Sequence, residues 1–77
     1  MKVKIYSTPT CPYCRIAKDF LKSRGVDFDE VDVSASQEAV REMVAKSGQM
    51  GVPVIDIDGE IITGFNRNRI TELLDAQ

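Results

Sequence analysis

The only two cysteines of the chain stand in Cys11-Pro12-Tyr13-Cys14, and no histidine accompanies them. Residues three apart on a helix share a face, so a Cys-x-x-Cys pair at a helix mouth sets two sulfurs side by side. The first lies against the unpaired N–H groups of the opening turn. The partial positive charge there favours a thiolate at Cys11, the form that attacks disulfides. Pro12 suits the first helical position, where its missing N–H leaves no partner unsatisfied. Cys14, one turn on, is placed to resolve a mixed disulfide. Tyr13 reads as a partly exposed aromatic rim. The chemistry these residues predict is thiol–disulfide exchange, with Cys11 as nucleophile and Cys14 as resolving thiol.

Other uses of the pair stay open. A permanent disulfide would close a very short loop, worth at most about 2 kcal/mol of chain entropy. Zinc asks for three or four protein ligands, which without histidine leaves carboxylates or a second chain. An iron or zinc carrier would therefore borrow ligands through Cys11 from outside the chain. A non-catalytic binding module would leave the thiols unperturbed.

The elements that must position the pair follow from periodicity. Lys2 to Tyr6 alternates, with Val3 and Ile5 on one face, and predicts a strand that leads through Ser7-Thr8-Pro9-Thr10 into the cysteines. Cys14, Ala17 and Leu21, with Ile16 and Phe20 beside them, predict a helix from Pro12 to Arg24 that stops at Gly25. Its basic residues Arg15, Lys18, Lys22 and Arg24 read as a solvated face. Val26 to Val33 reads as a charged strand suited to a sheet edge.

Ser34 and Gln37 match a capping box, and Ala39, Val40, Met43 and Val44 give the buried stripe of a second helix ending near Gly48. Val52 to Ile57 and Glu60 to Thr63 are two strands joined by Asp58-Gly59, a strong hairpin signal. Asn66 caps a last helix that buries Ile70, Leu73 and Leu74. The order is βαβαββα: an α/β domain over residues 1–77 with a four-stranded mixed sheet and three helices. The handedness of the crossover makes the first two strands parallel neighbours. Arg67 and Arg69 fall in the first turn of the last helix, where cations oppose the macrodipole. Either an anionic partner group meets them or they are simply solvated.

A chain of 77 residues, 43% hydrophobic and 29% charged, with net charge −2, has the makeup of one globular domain. Nothing in that balance favours nucleic acid or an anionic membrane surface as partner. No apolar run has the length of a membrane span, and the opening residues run into a strand without a signal-like apolar region. The expected location is the cytoplasm, whose reducing conditions keep a thiol pair as a working couple. No Gly-x-Gly-x-x-Gly fingerprint is present, so no bound cofactor is expected and electrons come from another molecule.

Taken together, Cys-Pro-Tyr-Cys at 11–14 and Gly51-Val52-Pro53-Val54 resemble the glutaredoxin family of the thioredoxin fold over essentially the whole chain. The resemblance implies a cis bond between Val52 and Pro53, with the Val52 backbone N–H and C=O turned toward an extended substrate chain. It also implies that Pro12, Tyr13, Gln49, Val52, Pro53, Gly64, Phe65 and Asn66 bind substrate, that protein or glutathione mixed disulfides are reduced, and that glutathione is a reductant. The sequence departs from the family at Thr8 and Gln49, where a cation is usual, and in Thr63-Gly64-Phe65-Asn66-Arg67, where Gly-Gly-x-Asp is usual. That ending is closer to small redoxins that take electrons from thioredoxin reductase and serve ribonucleotide reductase.

Overall fold

The computed structural model describes residues 2–76, and Met1 and Gln77, the ends of the expected domain, lie outside the described residues. Along the chain come β1 (Val3–Ser7), α1 (Pro12–Ser23), β2 (Asp29–Asp32), α2 (Gln37–Ser47), β3 (Val54–Ile57), β4 (Glu60–Thr63) and α3 (Arg67–Asp75). The four strands form one mixed sheet in the order β2-β1-β3-β4. β2 runs parallel to β1, and β3 and β4 are antiparallel to their neighbours. The expected βαβαββα order and mixed sheet are therefore present.

Alternation along the strands sends side chains to two layers. Val3, Ile5, Ile55, Ile57 and Ile62 meet Ala17 and Leu21 of α1 and Ile70 and Leu74 of α3 in the larger core. Leu73, Phe20 and Phe65 pack partly buried against it. On the opposite face Tyr6, Val33 and Val54 pack with Met43 of α2. Burial of this kind contributes about 25 cal/mol per Å² of apolar surface, which is what holds three short helices on so small a sheet.

Several boundaries differ from the sequence reading, each for a local reason. β2 begins at Asp29, not Val26, because its ladder with β1 starts at the Lys4↔Asp29 pair; Val26 and Phe28 pack against the core from the loop before it. The cap of α2 is Ser36, not Ser34, and its side chain accepts the Ala39 N–H. Ser34 is engaged instead by Asp32, whose carboxylate accepts both the Ser34 N–H and its hydroxyl. Of the stripe expected on α2 only Met43 is fully buried, while Ala39, Val40 and Val44 are half-buried. α1 stops one residue early, with Arg24 as its cap. β3 begins at Val54, so Val52 and Pro53 form a loop before the strand.

Tyr6 is the larger surprise. It lies on the lysine-bearing face of β1 yet is fully buried. Its hydroxyl accepts from Lys46 Nζ at 2.9 Å, and the same ammonium reaches Asp56 at 2.9 Å. The phenol also hydrogen-bonds Glu42, which holds that carboxyl below its ordinary range. Asp58 and Gly59 both take positive φ, as a two-residue hairpin of the Asp-Gly kind requires.

Candidate active site

β1 and β3 pair antiparallel with Tyr6 opposite Val54, so the end of β1 and the start of β3 lie side by side. From the first the chain turns through Thr8 O accepting the Cys11 N–H, and delivers Cys11 as the N-cap of α1, with Pro12 in its opening turn. Just before β3 runs the Val52–Pro53 loop, whose peptide bond is cis. Cys11 Sγ stands 3.9 Å from the Val52 carbonyl oxygen, a contact only the protonated thiol can make. Both cysteines are free thiols, Cys11 partly exposed and Cys14 buried.

Burial acts against an anion at Cys11. It is outweighed by the Cys14 side chain, by the backbone N–H groups of Cys14 and Tyr13, and by the charge of Lys18, and the Cys11 thiol sits below its ordinary value. The geometry behind this is the capping hydrogen bond: Cys14 N–H donates to Cys11 Sγ at 3.4 Å. Cys14 goes the other way. Burial and the neighbouring Cys11 push it up to about 11, against a backbone hydrogen bond from Thr8 and the charge of Lys18. One helix mouth thus separates a nucleophile from a protonated neighbour.

The other residues implied by the resemblance are distributed around this pair. Tyr13 is 63% exposed and Pro12 is also at the surface. Gln49 is exposed in the loop after α2, where Ser47 Oγ accepts its backbone N–H. Gly64, at φ 74°, donates its N–H to the Pro53 carbonyl at 2.8 Å and so ties the end of β4 to the loop beside Cys11. The Phe65 ring meets Phe20 edge-on at 5.9 Å and belongs to the core margin. Asn66 Oδ1 accepts the Arg69 N–H at 3.1 Å as the cap of α3.

The two arginines that oppose the α3 dipole are met within the chain. Arg69 reaches Glu72 at 3.3 Å and Glu60 at 3.6 Å, and Arg67 lies over the Phe20 ring at 5.4 Å. Among the described residues no group of three or more His, Cys, Asp or Glu is arranged to hold a metal ion. No helix among them is long and apolar enough to cross a membrane.

Lys18 is the residue the sequence reading passed over. Cys11 opens on a cleft of about 420 Å³ that Lys18 also lines, together with Glu30 of β2. The signal was present: Lys18 stands four residues after Cys14 and seven after Cys11, on the same stripe of α1. It was hidden by its basic neighbours, which do face solvent.

Comparison with known proteins agrees with the geometry. The glutaredoxin family model matches residues 3–62. An uncharacterised glutaredoxin-like 8.6 kDa protein in the rubredoxin operon of Clostridium pasteurianum is 51% identical over 73 residues, 95% of this chain and 97% of its own. Glutaredoxin 3 of Escherichia coli K12 is 44% identical over 62 residues, 80% of this chain and 75% of that one. Among solved structures, the glutaredoxin-like NrdH-redoxin of Escherichia coli, a protein with a thioredoxin-like activity profile, superposes with a TM-score of 0.85. It is 27% identical, over 95% of each chain.

Proposed function

The chain belongs to the glutaredoxin family, and on that premise we propose that it is a dithiol thiol–disulfide oxidoreductase acting on protein or glutathione mixed disulfides. The observation that carries the reading is the capping contact, Cys14 N–H to Cys11 Sγ at 3.4 Å, which stabilises an anion on Cys11 while Cys14 keeps its proton.

In the first step the Cys11 thiolate attacks one sulfur of the substrate disulfide. The substrate S–S bond breaks, its other sulfur leaves as a thiolate, and a mixed disulfide remains on Cys11. Cys14 then releases its proton to water and attacks Cys11 Sγ. The mixed disulfide breaks, the Cys11–Cys14 disulfide forms, and the second substrate sulfur leaves. The substrate gains two electrons and the protein loses two. The bond formed on Cys11 in the first step removes its charge and its hydrogen bond to Cys14, the two contributions beyond burial that hold the Cys14 proton. The second thiol is thereby released for attack only after the first has reacted.

The Val52–Pro53 loop would hold the extended substrate chain, its carbonyl exchanging the Cys11 thiol for a substrate N–H. Pro12, Tyr13, Gln49, Gly64, Phe65 and Asn66 form the remainder of the substrate-binding set on this reading. The cytoplasm is the compartment it fits, with a second thiol or dithiol, glutathione or thioredoxin reductase, restoring the pair. A specific feature favours the reductase: Gln49 brings no charge and Asn66 uses its side-chain oxygen on the helix cap. A redoxin fed by thioredoxin reductase and serving ribonucleotide reductase is therefore the second reading.

The test is a pair of variants assayed with a protein disulfide, once with glutathione and its reductase and once with thioredoxin reductase. Cys11→Ser abolishes reduction with either donor, and Cys14→Ser accumulates mixed disulfides visible by mass. Full activity of either variant on the protein disulfide overturns the assignment.

A further inference from the structure

The cleft beside Cys11 carries five charged residues: Arg15, Lys18, Asp19 and Lys22 from α1 and Glu30 from β2. Arg15, Asp19, Lys22 and Glu30 are exposed, where solvent and salt weaken their fields, and Glu30 among them is paired with Lys18. Lys18 differs. Its side chain keeps 19% of its exposure, and its Nζ is held 2.9 Å from Glu30 Oε2. Long helical side chains lean toward the N-terminus, over the preceding turn, so the Lys18 stem rises toward Cys14 and the helix mouth. β2 is parallel to β1 and beside it, which sets Glu30 opposite Ile5 on the flank of α1 that the cleft follows.

We infer that Lys18 and Glu30 act as an opposed pair of positioning residues for the dithiol: the ammonium favours negative charge on its sulfurs, and the carboxylate holds part of that charge back. This rests on the dithiol reading and adds to it the residues that set the reactivity of the pair. Lys18 acts in the lowering sense on both Cys11 and Cys14, so its charge bears on the couple as a whole. A reduced pair stabilised as an anion gives up its electrons less readily, which raises the potential of the couple.

Glu30 has the contrary role. Without it the ammonium is free to swing toward the Cys11 thiolate, and the cleft loses a negative charge. The two substitutions are therefore expected to have opposite signs. A loss of packing or a loosened helix would instead move both in the same direction, so the sign separates electrostatics from structure.

The experiment follows the rate of Cys11 alkylation by iodoacetamide against pH in the Cys14→Ser background, with no disulfide substrate and no electron donor present. At pH 6, Lys18→Gln is expected to slow alkylation by about two- to fivefold, the range of a partly screened charge pair. Glu30→Gln is expected to speed it by a similar factor, and Lys18→Arg to stay near the parent rate. Adding salt should shrink both differences. Equal rates for Lys18→Gln and its parent, or shifts of one sign in Lys18→Gln and Glu30→Gln, overturn the inference. Because the readout needs no turnover, it stands apart from the fate of the oxidoreductase reading, which fails separately if the unmodified protein reduces no disulfide.

Discussion

At pH 7 a brief exposure of the reduced protein to iodoacetamide should label Cys11 and leave Cys14 untouched. The magnitude comes from the two thiols themselves. Cys14 is 0% exposed and pushed up to about 11, so about one molecule in ten thousand carries its thiolate at pH 7. Cys11 lies below its ordinary value. Even a thiol left at the ordinary 9.0 is about 1% ionised at that pH, which makes the ratio of thiolates at least about 100-fold in favour of Cys11. Burial of Cys14 widens the gap, since the reagent must also reach the sulfur.

The assay is a timed quench followed by peptide mass analysis, with the two cysteines separated by cleavage between them or by fragmentation. A second arm blocks Cys11 as a mixed disulfide with a small thiol. That step removes the hydrogen bond and charge of Cys11 from Cys14 and leaves the Thr8 backbone contact and Lys18 in place. Cys14 should then expel the small thiol, faster as pH rises. Labelling of Cys14 within about tenfold of Cys11 in the reduced protein, or a mixed disulfide stable for hours at pH 8, would refute the division of labour between the sulfurs.

Two further outcomes follow from the same structure. Because the folded chain holds the Cys14 proton more tightly than an unfolded one, that contribution is whole below pH 8.5 and is lost as pH climbs through about 11. Urea titrations of the reduced protein should show a loss on the order of 3 kcal/mol across this window, and equal losses in Cys14→Ser would contradict it. Tyr6→Phe removes the hydroxyl shared by Lys46 and Glu42 but keeps the ring beneath the Lys4 and Lys46 ammonium groups. Asp56 still holds Lys46, so the expected loss is about 1–2 kcal/mol, or roughly 5–15 °C in Tm for a domain of this size. A melting temperature unchanged within about 2 °C would mean the network carries no net stability.

What the sequence revealed, and what it concealed, divides by distance along the chain. The Cys-Pro-Tyr-Cys opening of α1, the Asp-Gly hairpin and the Asn66 cap are local, and local chemistry was enough to place them. Tyr6 was hidden because Lys2-Val3-Lys4-Ile5 reads as one wet face and one dry face; only α2, arriving with Met43 and Lys46, makes the wet face a second core. Ser34 misled because its neighbour Asp32 competes for it, and Ser36 has Ala39 three residues on, where a capping box would carry Glu or Gln. The Lys18–Glu30 pair and the Gly64–Pro53 hydrogen bond join separate elements, and no periodicity encodes such meetings.

The pairing of Tyr6 with Val54 has a consequence for how tolerant the protein is to change. A slip of that ladder by two residues would preserve which side chains face each layer, yet carry the thiol and the proline loop roughly 7 Å apart. The working gap of the protein is thus set by the interlock of its two central strands rather than by either loop. The remote tip shares in that interlock, because the Asp58 N–H donates to the Lys2 carbonyl at 2.9 Å and its carboxylate accepts the Lys2 N–H at 2.6 Å, so a change at Asp58 loosens the far end of the same ladder that sets the gap.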